Sequence, residues 1–234
     1  MSRKKLKIQP VVLPKDEPKV ETIEIEVKPR TQSHKDYIYS MLQNDITICL
    51  GPPGCGKTYL SVGMGLKKVF QEKTHEKIVI SRPAVYSGDG MGFLPGNISE
   101  KMAPYLLPIY ECAKEFVKPD FLTGKVGTAD YNKSPIIEIV PVCYMMGRTF
   151  RNSWIIIDEA QHCSYKELYT IVGRLGENSR LIIGGDPNQI ERISHLEDII
   201  NRIGHISNVG VVKMHKRDIQ RHPRLGEIIQ ALET

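Results

Sequence analysis

The sequence predicts an α/β fold in which helices cover both faces of a parallel β-sheet. Short apolar runs, such as Ile46–Leu50 and residues 154–157, alternate with longer segments of helical pattern along most of the chain. Apolar runs without polar alternation are typical of strands that are buried on both faces. A glycine-rich segment follows the first run and leads directly into a helical pattern, which is the strand–loop–helix unit of such folds.

The order of the elements follows from this pattern. Residues 1–29 are predicted to form a basic, proline-containing arm with an edge strand at residues 20–27, where β-favouring residues alternate with glutamates. Residues 30–234 are predicted to form one domain. Its predicted helices are 34–42, 59–70, 99–117 (interrupted by prolines), 165–175, 196–203 and 225–232; its predicted strands are 46–50, 77–81, 136–140, 154–157, 181–183 and 209–213, and residues 83–96 are predicted to be a loop.

The composition is that of an ordinary globular protein. Of 234 residues, 41% are hydrophobic and 25% are charged, and the five cysteines lack the spacing of a disulfide framework or a zinc site. No apolar run approaches the about 20 residues that a membrane-spanning helix needs, and no signal-peptide pattern is present. We therefore expect a cytoplasmic protein without membrane contact. The net charge of +5 permits nucleic-acid binding, although a solvated surface explains it equally well.

The segment after the first strand has the pattern G-x-x-x-x-G-K-[ST] of a phosphate-binding loop. It consists of Gly51, Pro52, Pro53, Gly54, Cys55, Gly56, Lys57 and Thr58, and we count the next residue, Tyr59, with the predicted nucleotide-binding set. Glycines let the backbone N–H groups turn toward one phosphate chain, and the following helix adds its positive N-terminal end. Lys57 is predicted to reach the β- and γ-phosphates, and the Thr58 hydroxyl to bind Mg²⁺. The fold class is therefore that of a P-loop NTPase.

A second motif, Asp158-Glu159, ends another apolar run. A buried parallel strand delivers these carboxylates to the sheet edge where the phosphate loop lies. Asp158 is predicted to hold Mg²⁺, and Glu159 to act as the general base that activates water. The alternative is that these acids mark a helix N-terminus, where acidic residues are common.

Two residues further along are candidates for catalysis. Gln189 follows a third apolar run and is predicted to sense the γ-phosphate or to orient water, unless its segment is an ordinary turn. Arg221 is a candidate arginine finger for the charge that develops on the phosphates, with a surface salt bridge as the alternative.

Three arginines are candidate contacts to nucleic acid or to another subunit. Arg82 ends the second strand, where it could meet a nucleic-acid phosphate or pair with a local carboxylate. Arg148 and Arg151 precede the strand of the second motif, and an exposed loop is the alternative explanation for both.

With these residues in hand, the chain resembles the PhoH-like ATPase family from about residue 31 to its end. The matching segments, in family order, are 51–60, Arg82-Pro83-Ala84-Val85, Gly92-Phe93-Leu94-Pro95-Gly96, Lys101 with Pro104-Tyr105-Leu106 and Pro108, Gly147-Arg148-Thr149, Asp158-Glu159-Ala160-Gln161, Gly185-Asp186 with Gln189, and Arg221-His222-Pro223. The resemblance implies a RecA-like core related to the first motor domain of superfamily 1 helicases. It also implies ATP binding with Mg²⁺, ATP hydrolysis, a link to single-stranded RNA, and homo-oligomeric rings, expected to be hexamers, that could supply Arg221 in trans.

The chain departs from the family pattern before the phosphate loop. Family members often carry an Asn-Gln pair there that reads the adenine. Here Gln32 is shifted and His34 stands where the glutamine is expected, so we expect Gln32 and His34 at the nucleotide.

Three functions are compatible with these motifs. The first is an RNA-linked ATPase that works as a helicase-like motor, and the second is a ring assembly protein that ATP switches without unwinding any strand. The third is a small-molecule kinase, although the Asp-Glu-Ala-Gln segment and Gln189 favour hydrolysis over phosphoryl transfer to a metabolite.

Overall fold

The computed structural model describes residues 23–83, 107–128, 134–189, 194–222 and 224–232. Within these residues the chain forms a seven-stranded sheet with the strand order β3-β4-β2-β5-β6-β1-β7, and each pair of neighbouring strands is parallel. The strands are β1 (Ile46–Leu50), β2 (Lys77–Ser81), β3 (Val126–Gly127), β4 (Ile137–Ile139), β5 (Ser153–Ile157), β6 (Arg180–Gly185) and β7 (Val209–Lys213). The helices are α1 (Gln32–Gln43), α2 (Lys57–Leu66), α3 (residues 107–114), α4 (Pro119–Leu122), α5 (Tyr165–Val172), α6 (His195–Ile203) and α7 (Leu225–Leu232).

The predicted fold class is confirmed, because hydrophobic cores lie on both faces of this sheet. Ile78, Ile80 and Trp154 belong to one core, which includes residues of α1, α2 and α3. Val79 and Ile155 point the other way and belong to the second core, with residues of α5 and α6. This alternation within fully buried strands is the period-two pattern of a sheet covered on both faces.

The strand register aligns the carboxyl ends of four strands. Leu50 at the end of β1 pairs with Gly185 at the end of β6, and Ser81 at the end of β2 pairs with Ile157 at the end of β5. The segments that follow these strands therefore leave the sheet at one edge, which is where ligands bind in open α/β folds.

The predicted strand at residues 20–27 is wrong for the part that the structure describes. Residues 23–30 lie outside any strand, and residues 20–22 fall outside the described ranges. Ile25 is buried in the first core, and its N–H group donates to the side chain of Gln71 at 2.7 Å rather than to a neighbouring strand. Packing of Ile25 and of the partly buried Ile23 and Val27 against the first core, not strand pairing, holds this segment.

The other predicted helices and strands are present; four have the predicted bounds, and the rest differ at one or both ends. The bounds of β1, β2, β7 and α7 match the prediction, whereas α2 ends at Leu66 and continues as the π-helix Lys67–Gln71. The sequence did not predict β3 or α4. Residues 84–96 of the predicted loop lie outside the described residues. In the part of the chain that the structure describes, no helix is long and apolar enough to cross a bilayer.

Candidate active site

The loop between β1 and α2 has the backbone of an anion-binding turn. Gly54 and Gly56 have φ angles of 78° and 88°, in the left-handed region that favours glycine. At Gly51 a β-carbon would lie 2.8 Å from Cβ of Met214, so this position also requires glycine. Such conformations turn successive N–H groups toward one concavity, and α2 begins there with its positive end.

The Lys57 ammonium lies inside this loop. Its Nζ donates to the carbonyl oxygens of Gly51 at 2.5 Å and Pro52 at 3.0 Å. The neighbouring Cys55 side chain is buried, and burial raises the pKa of its thiol although Lys57 opposes that shift. Cys55 therefore packs as a largely apolar thiol whose Sγ accepts from Nζ of Lys57 at 3.7 Å.

Asp158 contacts both Thr58, at the end of the phosphate loop, and Arg82, the residue that follows β2. Its Oδ1 accepts a hydrogen bond from the Thr58 hydroxyl at 2.8 Å, and Asp158 is only 2% exposed. A hydroxyl and a carboxylate in contact are oxygen ligands of the kind that Mg²⁺ prefers, so the donor chemistry fits this ion. The two residues are 100 positions apart in the sequence, and the sheet edge brings them together as predicted.

Arg82 also contacts Asp158. Its Nε and Nη2 donate to Oδ2 at 2.8 and 2.5 Å, respectively. Of the two alternatives for Arg82, the structure therefore shows the pairing with a local carboxylate, and the expected contact with nucleic acid is not its role in this structure. The cause is strand order: β2 and β5 are neighbours, so the residues that follow Ser81 and Ile157 lie side by side.

Glu159 adopts a left-handed backbone conformation, with a φ of 56°, directly after Asp158. This conformation is uncommon for a residue with a side chain and is frequent at functional sites. Its carboxylate accepts a hydrogen bond from Nε2 of Gln161 at 2.8 Å.

The sequence prediction gave Gln161 no role of its own, although its side chain links two of the predicted catalytic residues, Glu159 and Gln189. Its Nε2 also lies 3.4 Å from Oε1 of Gln189, and its Oε1 accepts from the N–H group of Asp186 at 3.0 Å. The available signal was its position in the segment Asp158-Glu159-Ala160-Gln161, directly after the end of β5. Gly185 leaves room for this side chain, because a β-carbon there would come within 2.9 Å of Gln161 Oε1. Gln161 is buried, whereas Gln189 is exposed at the mouth of this cluster.

His34 contacts the phosphate loop, whereas Gln32 does not. His34 is 3% exposed; its Nδ1 accepts from the N–H group of Arg30 at 3.1 Å, and its Nε2 lies 3.0 Å from the carbonyl oxygen of Cys55. Because Nδ1 accepts, Nε2 carries the proton and donates to that carbonyl. The exposed side chain of Gln32 donates to Asp36 at 2.8 Å one turn along α1, and its place at the nucleotide stays a prediction.

Tyr59 packs against the first core. Its ring lies 4.5 Å from that of Phe116, centroid to centroid, within the first core. This contact fixes α2 against the segment that follows α3, so the aromatic ring supports the loop from the core side.

The C-terminal segment lies over the phosphate loop of its own chain. The N–H group of Gln220 donates to the carbonyl oxygen of Gly54 at 2.9 Å, and that of Met214 donates to Leu50 at 2.7 Å. The exposed Arg221 is so close that a β-carbon on Gly54 would lie 3.1 Å from its Cβ. The structure thus brings Arg221 to the loop in cis.

Asp218 anchors this segment to α1. It is 1% exposed and accepts hydrogen bonds from the side chains of Thr31 and Ser33 and from the N–H group of His215. Burial alone would raise the pKa of this carboxyl group, but the hydrogen bonds outweigh burial and lower it.

Arg148 and Arg151 do not join the site. Arg148 donates to both carboxylate oxygens of the fully buried Glu138, at 2.5 and 2.9 Å. Burial would raise the pKa of Glu138, yet the bonds and charge of Arg148 and the nearby Lys77 lower it. Arg151 is exposed just before the amino end of β5, so it lies at the sheet edge opposite the phosphate loop. The predicted contact role of Arg148 is therefore replaced by a structural ion pair.

Comparison with known proteins agrees with this geometry. A profile of the family described as "PhoH-like protein" matches residues 26–233. The chain belongs to the PhoH-like protein family. It is 33% identical to a PhoH-like protein of Bacillus subtilis (strain 168) over 213 residues and 31% identical to one of Synechocystis sp. over 211 residues, and each match covers 88% of this chain. It is also 33% identical over 201 residues to Protein PhoH of Escherichia coli (strain K12), a match that covers 82% of this chain.

This PhoH-like chain is shorter than these relatives. It spans 64%, 62% and 54% of the length of the B. subtilis, Synechocystis and E. coli proteins, respectively. Among solved structures, the UvsW helicase from bacteriophage T4 has a similar fold, with a TM-score of 0.50 at 11% identity over 84% of this chain and 64% of that one. Together, the family and the loop define a nucleotide-binding P-loop protein whose fold is related to that of helicases.

Proposed function

We propose that this protein binds ATP together with Mg²⁺ and hydrolyses the bond between its β- and γ-phosphates. The observation that carries the proposal is the 2.8 Å contact between Thr58 and Asp158 beside the loop that holds Lys57. A phosphate-binding loop without a carboxylate at the metal position would bind anions but would lack the means to use Mg²⁺.

The binding residues would act as follows. Lys57 leaves the carbonyl oxygens of Gly51 and Pro52 and donates to the β- and γ-phosphates, and Arg221 adds a second cation over the same loop. Thr58 and Asp158 would hold Mg²⁺, which neutralises charge on the phosphates when it is bound. His34 positions the loop through Cys55, because both of its ring nitrogens are already used.

Water activation would fall to the Glu159–Gln161–Gln189 cluster. Glu159 accepts a proton from the attacking water at its carboxylate, and the amide of Gln161 fixes the direction of that carboxylate. Gln189, with one donor and one acceptor at the open side of the cluster, orients the same water. The backbone strain at Glu159 is consistent with a side chain that is held for chemistry.

We further propose that hydrolysis is coupled to single-stranded RNA and that the protein works as a homo-oligomeric ring, expected to be a hexamer. The relation of the fold to a helicase and the net charge of +5 support this proposal. In such a ring, neighbouring subunits would supply the parts that move against each other. A ring that ATP switches without unwinding is the second candidate.

Phosphate release by the purified full chain, with and without single-stranded RNA, tests this proposal. We expect Mg²⁺-dependent turnover that RNA increases, and a decrease of about 100-fold or more in Lys57→Ala, because the phosphate contact is lost. Turnover that RNA leaves unchanged would favour the ATP-switched ring. Absence of turnover with any RNA, or full activity in Lys57→Ala, would contradict the proposed hydrolytic site.

A further inference from the structure

Both oxygens of the Asp158 carboxylate are occupied in this structure. Oδ1 accepts from Thr58, and Oδ2 accepts two N–H groups of the Arg82 guanidinium, at 2.8 and 2.5 Å. The Thr58 bond is compatible with bound Mg²⁺, since hydroxyl and carboxylate would serve that ion together. The guanidinium is different, because it places a full positive charge against the proposed metal ligand.

Two cations cannot share this carboxylate without a cost. Asp158 is 2% exposed, so little solvent screens the repulsion between a guanidinium and a divalent ion at its two oxygens. The Arg82 side chain is 23% exposed, which gives it a route toward solvent that the carboxylate does not have. Arg82 is therefore the partner that can leave.

Another buried ion pair among the described residues shows the contrast. Arg148 and Lys77 both surround the fully buried Glu138, and no loop hydroxyl contacts that carboxylate among the described residues. Glu138 is not a proposed Mg²⁺ ligand, so its ion pair with Arg148 is structural. Arg82, in contrast, contacts a carboxylate that is also the proposed Mg²⁺ ligand.

We propose that Arg82 is a built-in competitor of Mg²⁺ at Asp158. In the absence of nucleotide the guanidinium neutralises the buried carboxylate, and arrival of Mg²⁺ with the nucleotide displaces it. This inference rests on the proposed function, because it assumes that Asp158 serves Mg²⁺. It predicts that Arg82 weakens the advantage that Mg²⁺ gives to nucleotide binding.

A thermodynamic comparison tests the competition. The dissociation constant of a fluorescent, non-hydrolysable ATP analogue is measured in EDTA and in excess Mg²⁺, and the ratio of the two is the gain from Mg²⁺. We expect this ratio to be at least about 10-fold larger in Arg82→Gln than in the unmodified protein, because one competing charge is gone. Arg151→Gln, which removes an exposed arginine at the opposite sheet edge, should leave the ratio unchanged.

The outcomes separate the two claims. An equal ratio in Arg82→Gln and the unmodified protein overturns the competition alone. No binding of the analogue by the unmodified protein in either condition overturns the proposed function, and the competition with it.

Arg82→Gln leaves a buried carboxylate without its counter-ion and therefore destabilises the fold. A second measurement is made on the unmodified protein for this reason. The Nε–H resonance of Arg82 is followed by NMR in the unmodified protein, with Arg82→Lys for assignment. We expect this resonance to shift and to exchange faster with water when the analogue and Mg²⁺ are added together, but not when the analogue is added in EDTA. A resonance that stays unchanged in the saturated Mg²⁺ complex would overturn the proposal.

Discussion

At the scale of single residues, one buried amide organises the candidate catalytic cluster. Gln161 contacts the carboxylate of Glu159, the side chain of Gln189 and the backbone of Asp186, so it fixes two side chains from two different strand ends. Because Glu159 is in a strained conformation, its carboxylate direction depends on this support.

Replacement of Gln161 by Ala should therefore slow ATP hydrolysis by about 10- to 100-fold while the affinity for nucleotide changes little. Single-turnover hydrolysis and equilibrium binding measure the two effects separately. Gln32→Ala is the matched control, because Gln32 makes its hydrogen bond at the surface of α1. Equal loss of binding and hydrolysis in Gln161→Ala would show that Gln161 only maintains the fold.

The sequence predicted the residues of the site better than it predicted their partners. Lys57, Thr58 and Asp158 follow from motif and strand-end position alone, since parallel strands bring their carboxyl ends to one edge. The choice of Arg82 between a phosphate and a carboxylate depended on β2 and β5 being neighbours, which no local pattern encodes.

At the scale of elements, α2 approaches the sheet through Gly65. A β-carbon at Gly65 would lie 2.7 Å from Cδ1 of Trp154, which is fully buried and donates its indole N–H group to the carbonyl oxygen of Ser61 at 3.0 Å. Trp154 therefore has no room to move, and a side chain at position 65 would push α2 away from β5.

We expect Gly65→Ala to lower the free energy of unfolding, because overpacking costs about 1–3 kcal/mol and exceeds the gain of up to about 1 kcal/mol in helix propensity. Urea unfolding measures the change. Gly226→Ala in α7 is the control, since its nearest contact would be an ordinary 3.5 Å and its stability should not fall. A more stable Gly65→Ala protein would mean that α2 does not pack this closely.

The end of β2 carries a buried hydroxyl without a hydrogen-bond partner in the described structure, that of Ser81. Ser179 is the opposite case, because its hydroxyl accepts from the N–H group of Ser153 at 3.0 Å and donates to Phe150 at 2.9 Å. We expect Ser81→Ala to be neutral or stabilising and Ser179→Ala to cost about 1–3 kcal/mol, as measured by thermal unfolding. Comparable losses in both variants would show that the Ser81 hydroxyl has a partner.

The elements that the sequence missed are short. β3 has two residues and α4 has four, so neither is long enough to show a period. The converse error at residues 23–27 arose because alternation of apolar and acidic residues predicts a strand. Here the alternation only places Ile23, Ile25 and Val27 against the first core, without strand pairing.

At the scale of the whole molecule, buried carboxylates make stability depend on pH. The folded-state pKa of Glu138 is lowered from its ordinary value of 4.5, because Arg148 outweighs the effect of burial. A lowered folded-state pKa means stability that is present above about pH 4.5 and is lost as the pH falls through the folded-state value. The folded-state pKa of Asp218 is also lowered, from its ordinary value of 3.8, so its contribution to stability is likewise lost as the pH falls through the folded-state value.

Glu138→Gln should therefore be less stable near neutral pH, where Arg148 and Lys77 lose their partner, and its stability should fall less steeply below about pH 4.5. Urea midpoints over a pH series measure both effects. Glu26→Gln is the control, because Glu26 and its partner Lys28 are exposed, and its profile should follow that of the unmodified protein. Parallel acid profiles for Glu138→Gln and the unmodified protein would contradict this assignment.

The central claim is that this P-loop protein hydrolyses ATP at the Glu159 carboxylate, and Glu159→Gln tests it most directly. Nucleotide affinity and single-turnover hydrolysis are measured for this variant beside the unmodified chain. We predict retained affinity and hydrolysis slowed by about 100-fold or more, because the variant keeps every proposed phosphate and Mg²⁺ ligand and loses only the proton acceptor. Hydrolysis at the unmodified rate would contradict the claim.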